Sequence, residues 1–149
     1  MKAYRLFALA ALPASLLAGQ AHAVDFRSVG AAPAILYDAP SEKGRKVFVA
    51  PRGMPVEVVL TYGEWAKVRD IAGDLSWVET KALVPTRHVV ANAAGIKVRA
   101  AADDSSPLIM TADKDVLFEL AEPIASGWVK VKHRDGQTGY VKAAEVWGE

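Results

Sequence analysis

Cysteine is absent from this chain of 149 residues, and histidine occurs only as His22, His88 and His133. The first absence excludes a disulfide framework, a thiolate metal site and a thiol nucleophile. The second leaves too few imidazoles for a multi-histidine zinc site, and with no cysteine a Cys-His wall-degrading centre cannot be assembled. A surplus of one charge is missing too. Residues 24–86 carry 8 basic and 8 acidic side chains and residues 87–149 carry 8 and 9, so neither half has the positive footprint that phosphate backbones require. Nucleic acid is therefore not an expected partner. No window of about 11 residues sustains an apolar i, i+3, i+4, i+7 pattern with caps, which argues against a helical domain.

Long apolar runs are scarce as well, and the one present stands at the start. Lys2 and Arg5 flank Leu6 to Leu17, and Ala21-His22-Ala23 supplies a small-x-small exit, the layout of a secretory signal peptide cleaved after Ala23. A membrane anchor needs about 20 apolar residues, and no second run of that length follows. The expected product is exported, periplasmic or secreted, without a transmembrane anchor. Lys2 and Arg5 leave with the leader, so the chain's 18 basic and 17 acidic residues become a mature net charge of −1.

What is present is a repeat. Gly63 to Val78, GEWAKVRDIAGDLSWV, returns as Gly127 to Val141, GWVKVKHRDGQTGYV, with Trp65 over Trp128, Lys67 over Lys130, Trp77 over Tyr140 and Val78 over Val141 at an offset of 63. Each copy alternates apolar and polar residues around a tight turn, as two paired strands do. Upstream, Val24 to Ala34 reads as a lead-in, and Ile35 to Tyr37, Lys46 to Ala50 and Val56 to Tyr62 read as further strands. The loop Asp38 to Gly44 and the turn Pro51 to Pro55 separate them. Thr80-Lys81-Ala82 reads as one helical turn before Leu83-Val84.

After Pro85 to Arg87 the order restarts at His88 to Ala91 and Ile96 to Val98. Leu108 to Thr111 and Val116 to Leu120 follow as strands, and Ala121 to Ser126 as a turn with one extra residue. At an offset of 61, Val98 stands in place of Tyr37, and at 62 Asp115 replaces Gly53. The expected organisation is a leader over residues 1–23 and two all-β units over 24–86 and 87–149.

This order resembles the bacterial SH3-like domain. The likeness is carried by Leu36-Tyr37-Asp38-Ala39-Pro40-Ser41, Arg52-Gly53-Met54-Pro55-Val56-Glu57-Val58 and Gly63-Glu64-Trp65-Ala66-Lys67-Val68-Arg69, and it covers roughly residues 31–84 and 91–147. The resemblance implies tandem five-stranded barrels, in a family of exported bacterial proteins that bind cell-wall peptidoglycan, peptides or protein partners. It places Tyr37, Trp65 and Trp77 where eukaryotic SH3 domains line a proline-peptide groove. Glu79 and Ala82 replace that groove's Pro and last Tyr, as Lys142 and Glu145 do in the second copy, so a groove of the eukaryotic kind is incomplete.

Candidate ligand-binding residues are Tyr37, Trp65 and Trp77 with Arg45 in the first copy, and Trp128 and Tyr140 in the second; Tyr62 adjoins the first set. Aromatic rings offer a large contact area with few torsions to freeze, yet one buried ring also contributes several kcal/mol of core stability, so each is weighed as core or platform. No catalytic residue, metal ligand or cofactor is expected. His133, beside Lys132, Arg134 and Asp135, reads as solvated. Asp103-Asp104 and Asp113 with Asp115 read as turn carboxylates, because no calcium-loop pattern surrounds them. Two functions remain: a non-enzymatic module that holds a wall peptide or protein tail, and an adaptor that docks on another exported protein through a sheet edge.

Overall fold

A computed structural model describes residues 23–149. The leader expected over residues 1–23 lies outside that range except for Ala23. The first unit contains β1 (Phe26–Val29), β2 (Ala34–Tyr37), β3 (Lys46–Ala50), β4 (Pro55–Tyr62), β5 (Trp65–Arg69), β6 (Leu75–Glu79) and β7 (Leu83–Val84), with a 3-10 turn at Thr80–Ala82. The second contains β8 (His88–Ala91), β9 (Ile96–Arg99), β10 (Leu108–Ala112), β11 (Leu117–Ala125), β12 (Trp128–Lys132), β13 (Thr138–Lys142) and β14 (Val146–Trp147), with a 3-10 turn at Ala143–Glu145. Among the described residues no helix is long and apolar enough to cross a membrane.

Each unit forms one seven-stranded sheet, and the two strand orders are identical: β3-β2-β6-β5-β4-β1-β7 and β10-β9-β13-β12-β11-β8-β14. Seven strands stand where five were expected, because the lead-in holds β1 and the chain end returns as β7. Phe26-Arg27-Ser28-Val29 carries little β signal of its own. It becomes a strand through its partners, pairing Arg27 with Val56 in β4 and Val29 with Leu83 in β7.

Strand alternation assigns the faces. In β5, Ala66 and Val68 are buried, as is Val78 of β6, and they join Val29, Leu36 and Val56 in the first core. Val129, Val131, Val141, Val98, Phe118 and Val89 form the second. Residues between them in sequence turn outward. Register decides this, since a slip of one residue would reverse every side chain.

Extra residues are absorbed by bulges. In the first copy the pairing shifts between Val58 and Leu60, and in the second it shifts twice, between Leu120 and Glu122 and between Glu122 and Ala125. The segment Ala121 to Ser126 is thus strand as far as Ala125 rather than a turn. Ladder irregularity accommodates Pro123 and the inserted residue, and Ser126 and Gly127, with φ of 51° and 81°, make the tight turn. Asp115, at φ 69°, keeps the backbone shape that Gly53 has at φ 80°, a conformation that aspartate tolerates better than most side chains.

The copies meet along β1 and β8. Phe26 stands edge-on to Trp147 at 4.9 Å between centroids, and Arg87 lies over Phe26 at 5.4 Å. Within the second copy Arg87 Nη2 donates to Gly148 O at 2.7 Å, and across the seam His88 Nδ1 lies 3.1 Å from the hydroxyl of the buried Ser28.

Gly139 faces Val68's counterpart, Val131, as Ser76 faces Val68. Here packing, not φ, selects glycine: a methyl group at Gly139 would sit 2.6 Å from Val98 Cγ1 and 2.8 Å from Arg99 O. Gly139→Ala is expected to destabilise the second unit by about 1–3 kcal/mol, read as a lower urea midpoint. An unchanged midpoint would contradict the close approach of β9 and β13.

Candidate functional site

The outward face of β2, β5 and β6, with the end of β4, gathers Tyr37, Tyr62, Trp65 and Trp77. Trp77 sits opposite both Lys67 and Tyr37, and Trp65 opposite Tyr62 and Glu79, so the pleat sends all of them away from the core. Tyr37 stands edge-on to Trp65, with centroids 5.4 Å apart and planes at 86°. This geometry suits the ring quadrupoles. Lys67 Nζ lies 5.9 Å from the Trp77 centroid.

Burial separates the four rings. Tyr37 is only 7% exposed, so it acts as the support beneath Trp65. Trp65 and Trp77 are half-buried, and Tyr62, at the end of β4, is 67% exposed. The contactable surface is therefore Tyr62, Trp65 and Trp77, with Tyr37 fixing the angle of Trp65.

The loop from Asp38 to Arg45 closes on itself at its base. Asp38 N donates to Arg45 O at 3.1 Å, Arg45 N donates to Asp38 Oδ1 at 2.8 Å, and Arg45 Nε lies 3.4 Å from Asp38 Oδ2. Arg45 keeps a side chain that is 80% exposed; its recorded contacts are to Asp38 and not to the aromatic rings. At the other border Lys81 Nζ meets Glu79 Oε2 at 2.9 Å, and the hydrogen bond and charge of Glu79 hold the Lys81 pKa above its ordinary value.

In the second copy Trp128 faces Lys142, and Tyr140 faces Lys130. Lys142 Nζ is 5.9 Å from the Trp128 centroid and 3.0 Å from Asp104 Oδ1; Lys130 Nζ is 5.9 Å from the Tyr140 centroid and 3.1 Å from Glu122 Oε1. The candidates thus fall into two grooves on two sheets, not one. Register also corrects the alignment of the copies. Tyr37 pairs with Trp77 as Arg99 pairs with Tyr140, so Arg99 occupies Tyr37's place, whereas Val98 is buried like Leu36. The polar loops hid this, because an offset counted through them is off by one residue.

A cleft of 770 Å³ between the copies escaped the sequence. Pro51, Arg52 and Gly53 form one wall, and Asp115, Leu117 and His133 stand opposite. These residues are about 60 to 80 positions apart and share no motif. His133, expected to be solvated, is instead 18% exposed and packs on Phe118 at 5.8 Å, with Nδ1 3.0 Å from Asp135 Oδ1. Asp135 is held below the usual carboxylate range, chiefly by the backbone N–H of Gln137 and further by His133. Among the described residues no group of His, Asp and Glu converges as a metal site.

A family model described as the bacterial SH3 domain matches the chain twice, over residues 30–85 and 92–148. The chain belongs to the bacterial SH3 domain family. The matches run from β2 to β7 and from β9 to β14, and leave out β1 and β8. No curated relative matches the chain significantly. Among solved structures, NlpC2 from Trichomonas vaginalis is similar at 11% identity and a TM-score of 0.39 over 85% of this chain and 49% of its own. NlpC1 from the same organism is similar at 10% identity and a TM-score of 0.40 over 88% and 48%. The chain spans about half the length of both.

In the first SH3 domain, burial separates support from contact, and the separation is measurable. Tyr37→Ala is expected to cost about 3 kcal/mol or more, in the range for an emptied aromatic site. Arg45→Ala is expected to stay within about 0.5 kcal/mol. Chemical denaturation checks both, and equal losses would contradict the assignment.

Proposed function

We propose that the chain is a non-enzymatic exported binding protein, whose first SH3 domain holds a cell-wall peptide or a protein tail on the surface of Tyr62, Trp65 and Trp77. The observation that carries this reading is the Tyr37–Trp65 edge contact. A core needs no second aromatic tier outside the sheet, whereas a ligand platform needs a ring locked at a fixed angle. Membership of a family of binding domains supports the same conclusion. In this reading each sheet curls into a small barrel, the leader directs the chain to the periplasm or beyond, and residues 24–86 and 87–149 are the two domains.

The second reading, an adaptor that docks through a sheet edge, draws on β3. This strand ends its sheet and exposes Val47 by 45%, Phe48 by 52% and Val49 by 62%. Natural edges are usually blunted by charge, proline or cover. An open apolar edge suits an added strand from another protein.

Co-sedimentation with purified sacculi separates the two. The wall reading expects the intact protein to sediment and Trp65→Ala to lose about 2 kcal/mol of binding, roughly thirtyfold in affinity, while keeping the β-type circular dichroism spectrum of the parent. Trp128→Ala is expected to retain sedimentation. A protein that stays in solution and co-purifies with one envelope protein through Phe48 would favour the adaptor. Loss of sedimentation on Trp128→Ala alone would overturn the assignment of the first domain.

A further inference from the structure

The second groove gains cations that the first lacks while keeping its tryptophan. Strand register equates Ile35 with Lys97, Tyr37 with Arg99 and Glu79 with Lys142 around Trp65 and Trp128. At each position a neutral or acidic side chain gives way to a cation. The three cations converge: Lys97, Arg99 and Lys142 line one hollow of 190 Å³ with Trp128, Gly95 and the carboxylates Asp104 and Glu145.

The local contacts fix how this charge is presented. Arg99 Nη1 donates to Ser106 O at 2.9 Å, which orients the half-buried guanidinium and leaves its other N–H groups unassigned to any partner among the described residues. Lys142 is shared between the Trp128 face and Asp104 at 3.0 Å. Lys97 makes no ion pair among the described residues. Gly95 leaves the mouth free of a side chain.

We propose that the second SH3 domain binds the carboxylate of a peptide, with Arg99, Lys97 and Lys142 receiving the anion and Trp128 carrying the adjoining apolar atoms. A guanidinium fork matches the two oxygens of a carboxylate. Asp104 and Glu145 in the hollow, and Asp103, whose carboxylate the charge of Arg99 helps to hold ionised, already balance the three cations, so the hollow has no surplus positive charge for a phosphate dianion and a monoanion fits it better. The indole face adds an apolar contact that a bare ion cannot use. This site is independent of the Trp65 surface, so retention on sacculi through the first domain and carboxylate binding by the second can each fail alone.

The test is a two-dimensional NMR titration of the full chain, read at the indole N–H signals of Trp128 and Trp65, with acetyl-Ala-Ala, its neutral C-terminal amide, sodium acetate and inorganic phosphate as probes. Acetyl-Ala-Ala is expected to move the Trp128 signal to saturation, more tightly than acetate or phosphate, while the amide leaves it unmoved and Trp65 stays in place. Arg99→Gln should weaken binding about tenfold or more, as expected for one lost charged hydrogen bond. Lys97→Gln should weaken it without the loop contact that Arg99 makes, so that a folding defect in the first variant does not decide the result. Equal shifts with the amide, tighter binding of phosphate or acetate, or a Trp128 signal indifferent to all probes would overturn the proposal.

Discussion

A β-strand can turn only every second side chain toward the core, and two such strands must agree on which side that is. The pairing of Ala66 with Val78, repeated as Val129 with Val141, settles that agreement in each domain. Everything else follows from it. Once those residues point inward, Trp65, Lys67 and Trp77 must point outward, and so must Trp128, Lys130 and Tyr140. Bulges at Leu60 and after Leu120 shift the pairing of β4 with β5 and of β11 with β12, and leave the β5–β6 and β12–β13 registers unbroken. The two copies therefore differ in length and still present equivalent outer faces.

Within that division the two domains differ in distinct ways at core and outer positions. Core positions exchange volume for volume: Leu36 corresponds to Val98 and Ser76 to Gly139, while Val56 corresponds to the larger Phe118. The outer face has no packing constraint of this kind. There an aromatic tier with Glu79 in one copy can become a cationic rim around a single tryptophan in the other. Tyr37 is the exception that couples the layers, because it lies on the outer side and yet is almost fully buried under Trp65. Removing it would act on stability and on the angle of Trp65 together.

Most strands, the 3-10 turn at Thr80–Ala82 and the repeat were legible in the sequence, because alternation and turn residues are local signals. What stayed hidden depends on partners far along the chain. Phe26–Val29 pairs with β4 and β7 and has no alternating pattern of its own. The equivalence of Arg99 with Tyr37 emerges only from ladder register, since the polar loop that follows carries no marker for alignment. His133 looked solvated among charged neighbours, yet the turn folds it onto Phe118. Of the site residues, Trp65, Trp77, Trp128 and Tyr140 stood open in the sequence between core and platform, and strand register turns them outward; that Tyr37 lies beneath Trp65, and that Arg45 bonds its own loop, depends on contacts with no sequence signal.

The account turns on whether the outward aromatic tier of the first domain is the surface that meets a ligand. NMR of the intact protein with solubilised wall fragments resolves the tryptophans individually. The account predicts that the indole signals of Trp65 and Trp77 shift together while Trp147, packed on Phe26 between the copies, does not move. Shifts confined to Trp147 and to residues lining the cleft between the domains, with Trp65 unmoved, would contradict it.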